Sequence, residues 1–205
     1  MAGLLRVTAP AQEPVDIVEM REFLRVTAHT EDRLIRQLIR EVREEFDGPA
    51  AWFGRALVTQ TWDLLLDTFP YPGLESASAY YTALNRKMAI VVPLPPLQSI
   101  TSIKYLDTSG AQQTLDPAAY QVDVASEPGQ VVPAYNTLWP PARIAANTVT
   151  VRFVAGYGLP PSVPEPIKNW IMRGVAYRYD NRSTVATLPN TFFWTMAGYK
   201  SVWAL

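Results

Sequence analysis

Apolar positions change their period twice along the chain, from about 3.6 residues to two and back again. Residues 16–24 follow Pro14 and place Ile17, Met20, Phe23 and Leu24 on one side, which predicts a short helix. A longer helix follows. Thr30 is its expected N-cap, Glu31 and Asp32 suit its first turn, and Gly48-Pro49 ends it. Leu34, Ile35, Leu38, Ile39, Val42 and Phe46 form one unbroken apolar stripe, and arginines, glutamates and Gln37 cover the remainder.

From about Val58 the alternation becomes twofold. Strands are predicted over 59–67, 88–92, 99–106, 119–124 and 148–154, with a turn signal, DTSG, at 107–110. Glu127-Pro-Gly129 and Trp139-Pro-Pro141 read as loop material. After Gly156-Tyr-Gly158 helix returns: Pro164 and Pro166 suit a first turn, and Ile167, Trp170, Ile171, Gly174, Val175 and Arg178 share a face. The expected class is α+β: a helical bundle core, an inserted small antiparallel β-subdomain and an extended C-terminal tail. The corresponding division is 1–57 for the N-terminal segment and first helices, 58–158 for the β-subdomain, 159–182 for the last helix and 183–205 for the tail.

Composition narrows the function. The 205 residues are 48% hydrophobic and 18% charged, a globular balance, and the net charge of −1 offers no basic excess for gripping a phosphate backbone. Cysteine is absent, which removes thiol nucleophiles, disulfides and thiolate metal sites, and fits a reducing compartment. The first ten residues carry Arg6 and no long apolar run, so no secretory signal is expected. No stretch approaches the ~20 apolar residues that cross a bilayer, so no membrane role is expected. Eighteen prolines, clustered between Phe69 and Pro166, favour short strands and shaped loops there.

Candidate chemistry is thin. His29 is the only histidine, so neither a histidine-based triad nor a two-histidine zinc site can form within one chain. Asp63 and Asp67 fall on one face of a strand roughly 13 Å apart, beyond the ~5–9.5 Å of glycosidase carboxylate pairs. Glu44, Glu45 and Asp47 read as a solvated helix end, without the alternating oxygens of a calcium loop. Gly54, Gly156 and Gly158 match no phosphate-binding fingerprint and read as turn glycines. A hydrolase would have only Asp63, Asp67 and Glu165 to draw on. No catalytic residue, cofactor or metal is therefore expected.

The tail is the salient feature. Phe192, Phe193, Trp194, Met196, Tyr199, Val202, Trp203 and Leu205 crowd into the last 14 residues, with Lys200 as the single charge. Aromatics dominate interface hot spots, so Phe192, Phe193, Trp194, Met196, Tyr199, Trp203 and Leu205 are the candidate partner-binding residues. Burying five aromatics contributes roughly 8–15 kcal/mol, whereas ordering about 20 residues costs on the order of 20–40 kcal/mol. Side-chain anchors alone therefore cannot order this tail; it needs backbone pairing or a groove as well.

Over residues 14–182 the chain resembles the head–tail connector, or adaptor, proteins of long-tailed phages and gene transfer agents. The likeness is carried by the apolar helix at 34–46, GRALVTQTW at 54–62, VPLPPLQSITSI at 92–103, VRFVAGYG at 151–158, VPEPIK at 163–168 and YDNR at 179–182. The resemblance implies a twelve-subunit ring beneath the portal protein of a virion neck, linking capsid to tail. DNA would pass through its channel without specific binding, and a downstream neck or tail protein (a stopper or terminator) would dock on the other face. Such particles assemble in the host cytoplasm. It also implies that residues 188–205 reach the portal. The competing reading is a carbohydrate- or ligand-binding β-module, suggested by Trp52, Trp62, Tyr80, Tyr81 and Trp139.

Overall fold

The structure, a computed structural model, describes residues 3–71, 88–182 and 197–201. The chain divides into two units, one of residues 1–9 and 60–156, the other of residues 10–59 and 157–205.

Among the described residues the first unit consists of two β-sheets and a 3₁₀ turn, Pro117–Ala119. Its larger sheet has five antiparallel strands in the order β1 (Gly3–Thr8), β2 (Gln60–Leu66), β8 (Val149–Ala155), β4 (Leu97–Leu106) and β5 (Gln112–Thr114). The smaller sheet has three antiparallel strands, β3 (Ile90–Val92), β7 (Gly129–Pro133) and β6 (Tyr120–Asp123). The central pair β2–β8 shows how alternation becomes a core. Trp62, Leu64 and Leu66 register with Phe153, Val151 and Val149, and all six are buried. On the opposite face Asp63 registers with Arg152, and the two close a bidentate ion pair at 2.8 Å for each bond. At Gly129 a Cβ would lie 2.6 Å from the Leu97 Cβ, so only glycine fits this close approach.

The second unit is helical: α1 (Ile17–Leu24), α2 (Asp32–Phe46) and α3 (Glu165–Asp180). The stripe read from sequence is the inner face of α2, where Ile35, Leu38, Ile39, Val42 and Phe46 are buried against Val15 and Met20 and against Ile167, Ile171 and Val175 of α3. Burying those five side chains contributes about 8–15 kcal/mol. Ion pairs close the rim, with Arg178 reaching Glu41 and Glu45 across from α3 to α2. Asp16 caps α1 by accepting from the Val18 and Glu19 amides.

Three expectations need correction. The class is α+β, but the β part is no small insert into a helical core: it contains sheets of five and three strands. β1 lies in the segment read as an N-terminal lead, and its partner β2 is about 60 residues away, a long-range choice that local pattern does not encode. β7 starts at the loop residue Gly129 and continues through residues 130–133, for which the pattern predicts no strand; it pairs with β3 about 40 residues away and with β6 about ten residues away. Thr30 does not cap α2. It sits in a 3₁₀ turn, His29–Glu31, and the N-cap position falls to Glu31, which makes no side-chain cap bond. The extended tail cannot be compared, because most of it lies outside the described residues.

Candidate functional site at the C-terminal segment

The seat of the C-terminal segment is built by the loop that follows α2. Asp47 ends the helix with its side chain completely buried. Its Oδ1 accepts from the Leu57 amide at 2.9 Å and its Oδ2 from Arg43 at 3.1 Å. The Gly48 amide donates to the Arg55 carbonyl and the Trp52 amide to the Glu45 carbonyl, so the loop folds back on the helix end. Phe53 is buried here, 5.1 Å from Phe46 and 5.3 Å from Trp52 between ring centroids.

Residues 197–201 are stitched to this loop. Arg55, itself buried, donates from Nε to the Tyr199 carbonyl at 2.5 Å, and its Nη1 meets the Tyr157 hydroxyl at 3.5 Å. The Ser201 amide donates to the Phe53 carbonyl at 2.7 Å, and the Lys200 ammonium lies 5.6 Å from the centre of the Trp52 ring. Tyr199 closes a 3₁₀ turn, Ala197–Tyr199, and packs half-buried against the helical core. Of the seven residues singled out in the tail, Tyr199 alone is described; Phe192, Phe193, Trp194, Met196, Trp203 and Leu205 lie outside the described residues. Sequence reasoning missed Arg55 as the clamp. It stood in a motif read for family likeness, and its carbonyl partner lies 144 residues away.

The acids that sequence analysis weighed for chemistry serve structure. Asp63 pairs with Arg152, Asp67 accepts from the Asn147 amide, Glu45 pairs with Arg178, and Glu165 with Lys168. His29 contacts Arg21 and Asp32 on the surface. Among the described residues no group of three or more His, Asp or Glu is placed to hold a metal ion. Glu31 accepts from the Tyr179 hydroxyl and from Arg182, which holds its carboxyl below the usual range, and the same hydroxyl bond pushes Tyr179 up.

The ring faces a sugar-binding platform needs are not offered by Trp62 or Trp139. Trp62 is buried, and Trp139 stacks on Phe69 at 5.0 Å while its Nε1 donates to the Met88 carbonyl. Tyr80 and Tyr81 lie outside the described residues.

No family model matches the chain, and no curated protein does. Solved structures do. A chain in the structure described as "Neck of empty GTA particle computed with C6 symmetry" superposes with a TM-score of 0.73 at 17% identity, covering 99% of this chain and 97% of that one. A second, from "Virion of native gene transfer agent (GTA) particle", gives 0.72 at 18% identity over 98% and 97%. A third, from "Neck of native GTA particle computed with C12 symmetry", gives 0.65 at 16% over 99% and 97%. At these identities the likeness is one of fold, and it spans both chains almost end to end.

Proposed function

We propose that this chain is a structural subunit of the neck of a phage-like particle, an adaptor that forms a twelve-membered ring beneath the portal protein and receives a stopper or terminator protein on its other face. The observation that carries this reading is the end-to-end fold likeness to chains of gene transfer agent necks, at a TM-score of 0.73. The ion pairs of Asp63, Glu45 and Glu165 give these acids structural work, which agrees with a structural role for the chain.

The portal contact belongs to the aromatic tail in this proposal. Phe192, Phe193, Trp194 and Met196 precede the stitched residues, and Trp203 and Leu205 follow them. Stitching changes the energetics of docking. With residues 197–201 already held, about five residues of backbone ordering, roughly 5–10 kcal/mol, need not be met by the partner. The anchors then have shorter segments to order on either side, which suits twelve weak contacts acting together.

The test is binding to portal rings with the full-length chain and a variant carrying Phe193→Ala, Trp194→Ala and Trp203→Ala. The variant is expected to keep its far-ultraviolet circular dichroism and lose at least tenfold in portal affinity. Full affinity in a folded variant removes the tail from the portal contact. Failure of the unmodified chain to bind any portal removes the adaptor reading itself.

A further inference from the structure

The five-stranded sheet has two outer edges, whose strands β1 and β5 run in the same direction. At one edge, β1 bonds only to β2 among the described residues. Its register is regular over residues 3–6 and breaks between Arg6 and Thr8. Leu5 and Val7, 57% and 45% exposed, put apolar side chains into solvent on this edge strand, and Arg6 is the only charge in the strand. Natural edge strands usually carry charges or prolines that block further pairing; this one is nearly bare of them.

At the other edge β5 covers only part of β4. It pairs with Lys104, Tyr105 and Leu106, and the Leu115 amide adds one bond to the Ile103 carbonyl. Within residues 99–102, Ser-Ile-Thr-Ser, Ser99, Ile100 and Ser102 pair with β8 on their inner side, with register shifts before Ser99 and at Thr101, and the stretch has no strand on its outer side among the described residues. Ser99 and Thr101 are exposed, Ile100 and Ser102 half-buried, and the stretch holds no charge.

We propose that residues 3–5 of β1 in one copy pair antiparallel with residues 99–101 of β4 in the next copy, joining the sheets head to tail around a ring. The inference rests on the ring reading above and supplies the contact that would close it. Strand count decides the direction. In the order β1-β2-β8-β4 every neighbour is antiparallel, so β1 and β4 of one copy run oppositely. A twelvefold rotation turns each copy by only about 30°, so the neighbour's β1 still opposes β4, and the incoming strand continues the line of β5. Faces set the register: Leu5 lies on the face of Asp63 and Ser99 on that of Val154, whereas Leu4 and Ile100 lie on the core face with Leu64 and Phe153. Leu5 therefore falls opposite Ser99 and Leu4 opposite Ile100, an apolar pair flanked by positions without like charges. Such a contact is heterologous, which is the kind that generates rings.

The absence of cysteine makes the test clean. Leu5→Cys is combined in turn with Ser99→Cys, Ile100→Cys and Thr101→Cys, rings are isolated by mass, and mild oxidation is followed by denaturing electrophoresis. The expected result is a ladder of covalent oligomers, at least tenfold above either single variant, from one or more pairs. A second variant, Leu5→Lys with Ser99→Lys, changes two exposed positions and sets like charges against each other only across the seam. It is expected to fold and to leave at least tenfold fewer rings. Rings that form but yield no ladder, or that tolerate the double lysine, overturn this contact and leave the adaptor reading intact. A wild-type chain that stays monomeric under all conditions overturns both.

Discussion

Asp47 buries its carboxyl completely at a helix C-terminus, whose dipole disfavours a negative charge there. Arg43 and the Leu57 amide compensate, and Arg43 is itself shared with Glu13 and Glu44. Removing one member of such a group leaves the other uncompensated, which costs about 3–5 kcal/mol. Asp47→Ala is therefore expected to lower the urea midpoint by that equivalent and to loosen the loop that seats Tyr199 and Ser201. A change under about 1 kcal/mol in the same urea titration would mean that Arg43 finds full compensation in Glu13. Local sequence reads Glu44, Glu45 and Asp47 together as a solvated helix end, and for Glu44 that is apt: its side chain is 63% exposed. What separates Asp47 is the backward fold of the next ten residues. No spacing rule along the helix carries that information.

At the scale of elements, legibility followed the range of the interaction. The α2 stripe and the face of α3 were readable because helical periodicity is local, and β8 because its buried and half-buried positions alternate strictly. β1 escaped because a partner far along the chain decides it, and β7 because its run Gly129–Pro133 does not alternate. The β4–β5 hairpin is an intermediate case, since the turn signal at 107–110 was legible but its wiring was not. Asp107 there accepts from the Ser109 hydroxyl and amide, the Ala111 amide and the Gln113 side chain, and these bonds, the Ser109 hydroxyl first, hold its carboxyl down at about 2. Because the folded value is depressed, the turn's contribution is complete above the ordinary value of 3.8 and is lost as pH falls from there through about 2. Carbon-detected NMR is expected to place the Asp107 midpoint near 2 and to show fraying of residues 112–114 below it. A midpoint close to 3.8 would mean that the turn does not hold the carboxylate in solution. Asp107→Asn is expected to abolish the pH dependence of that fraying.

At the scale of the molecule, the sequence disclosed class and composition but not proportion: the β unit, with eight strands among the described residues, is as much the body of the protein as the helices are. Its proposed partner-binding tail was legible only as a density of aromatics, because a chain's own pattern does not contain the surface it meets. The whole-molecule consequence is multivalency. If portal binding is the work of one tail per subunit and the ring holds twelve tails in one plane, apparent affinity depends on the ring more than on any tail. Leu5→Lys with Ser99→Lys leaves every tail residue unaltered and removes the proposed seam. That variant is expected to bind portal about 100-fold more weakly than the wild-type ring, measured by titration at a concentration where the wild type is assembled. Adding Trp203→Ala is then expected to weaken each of the two backgrounds differently, more steeply in the ring, where the loss is repeated around the circle. Equal affinity of the double-lysine chain and the wild-type ring would show that a single tail suffices, or that the portal itself arranges the subunits. In either case the seam would be dispensable for docking, and the load would fall on the aromatic segment and its stitched residues.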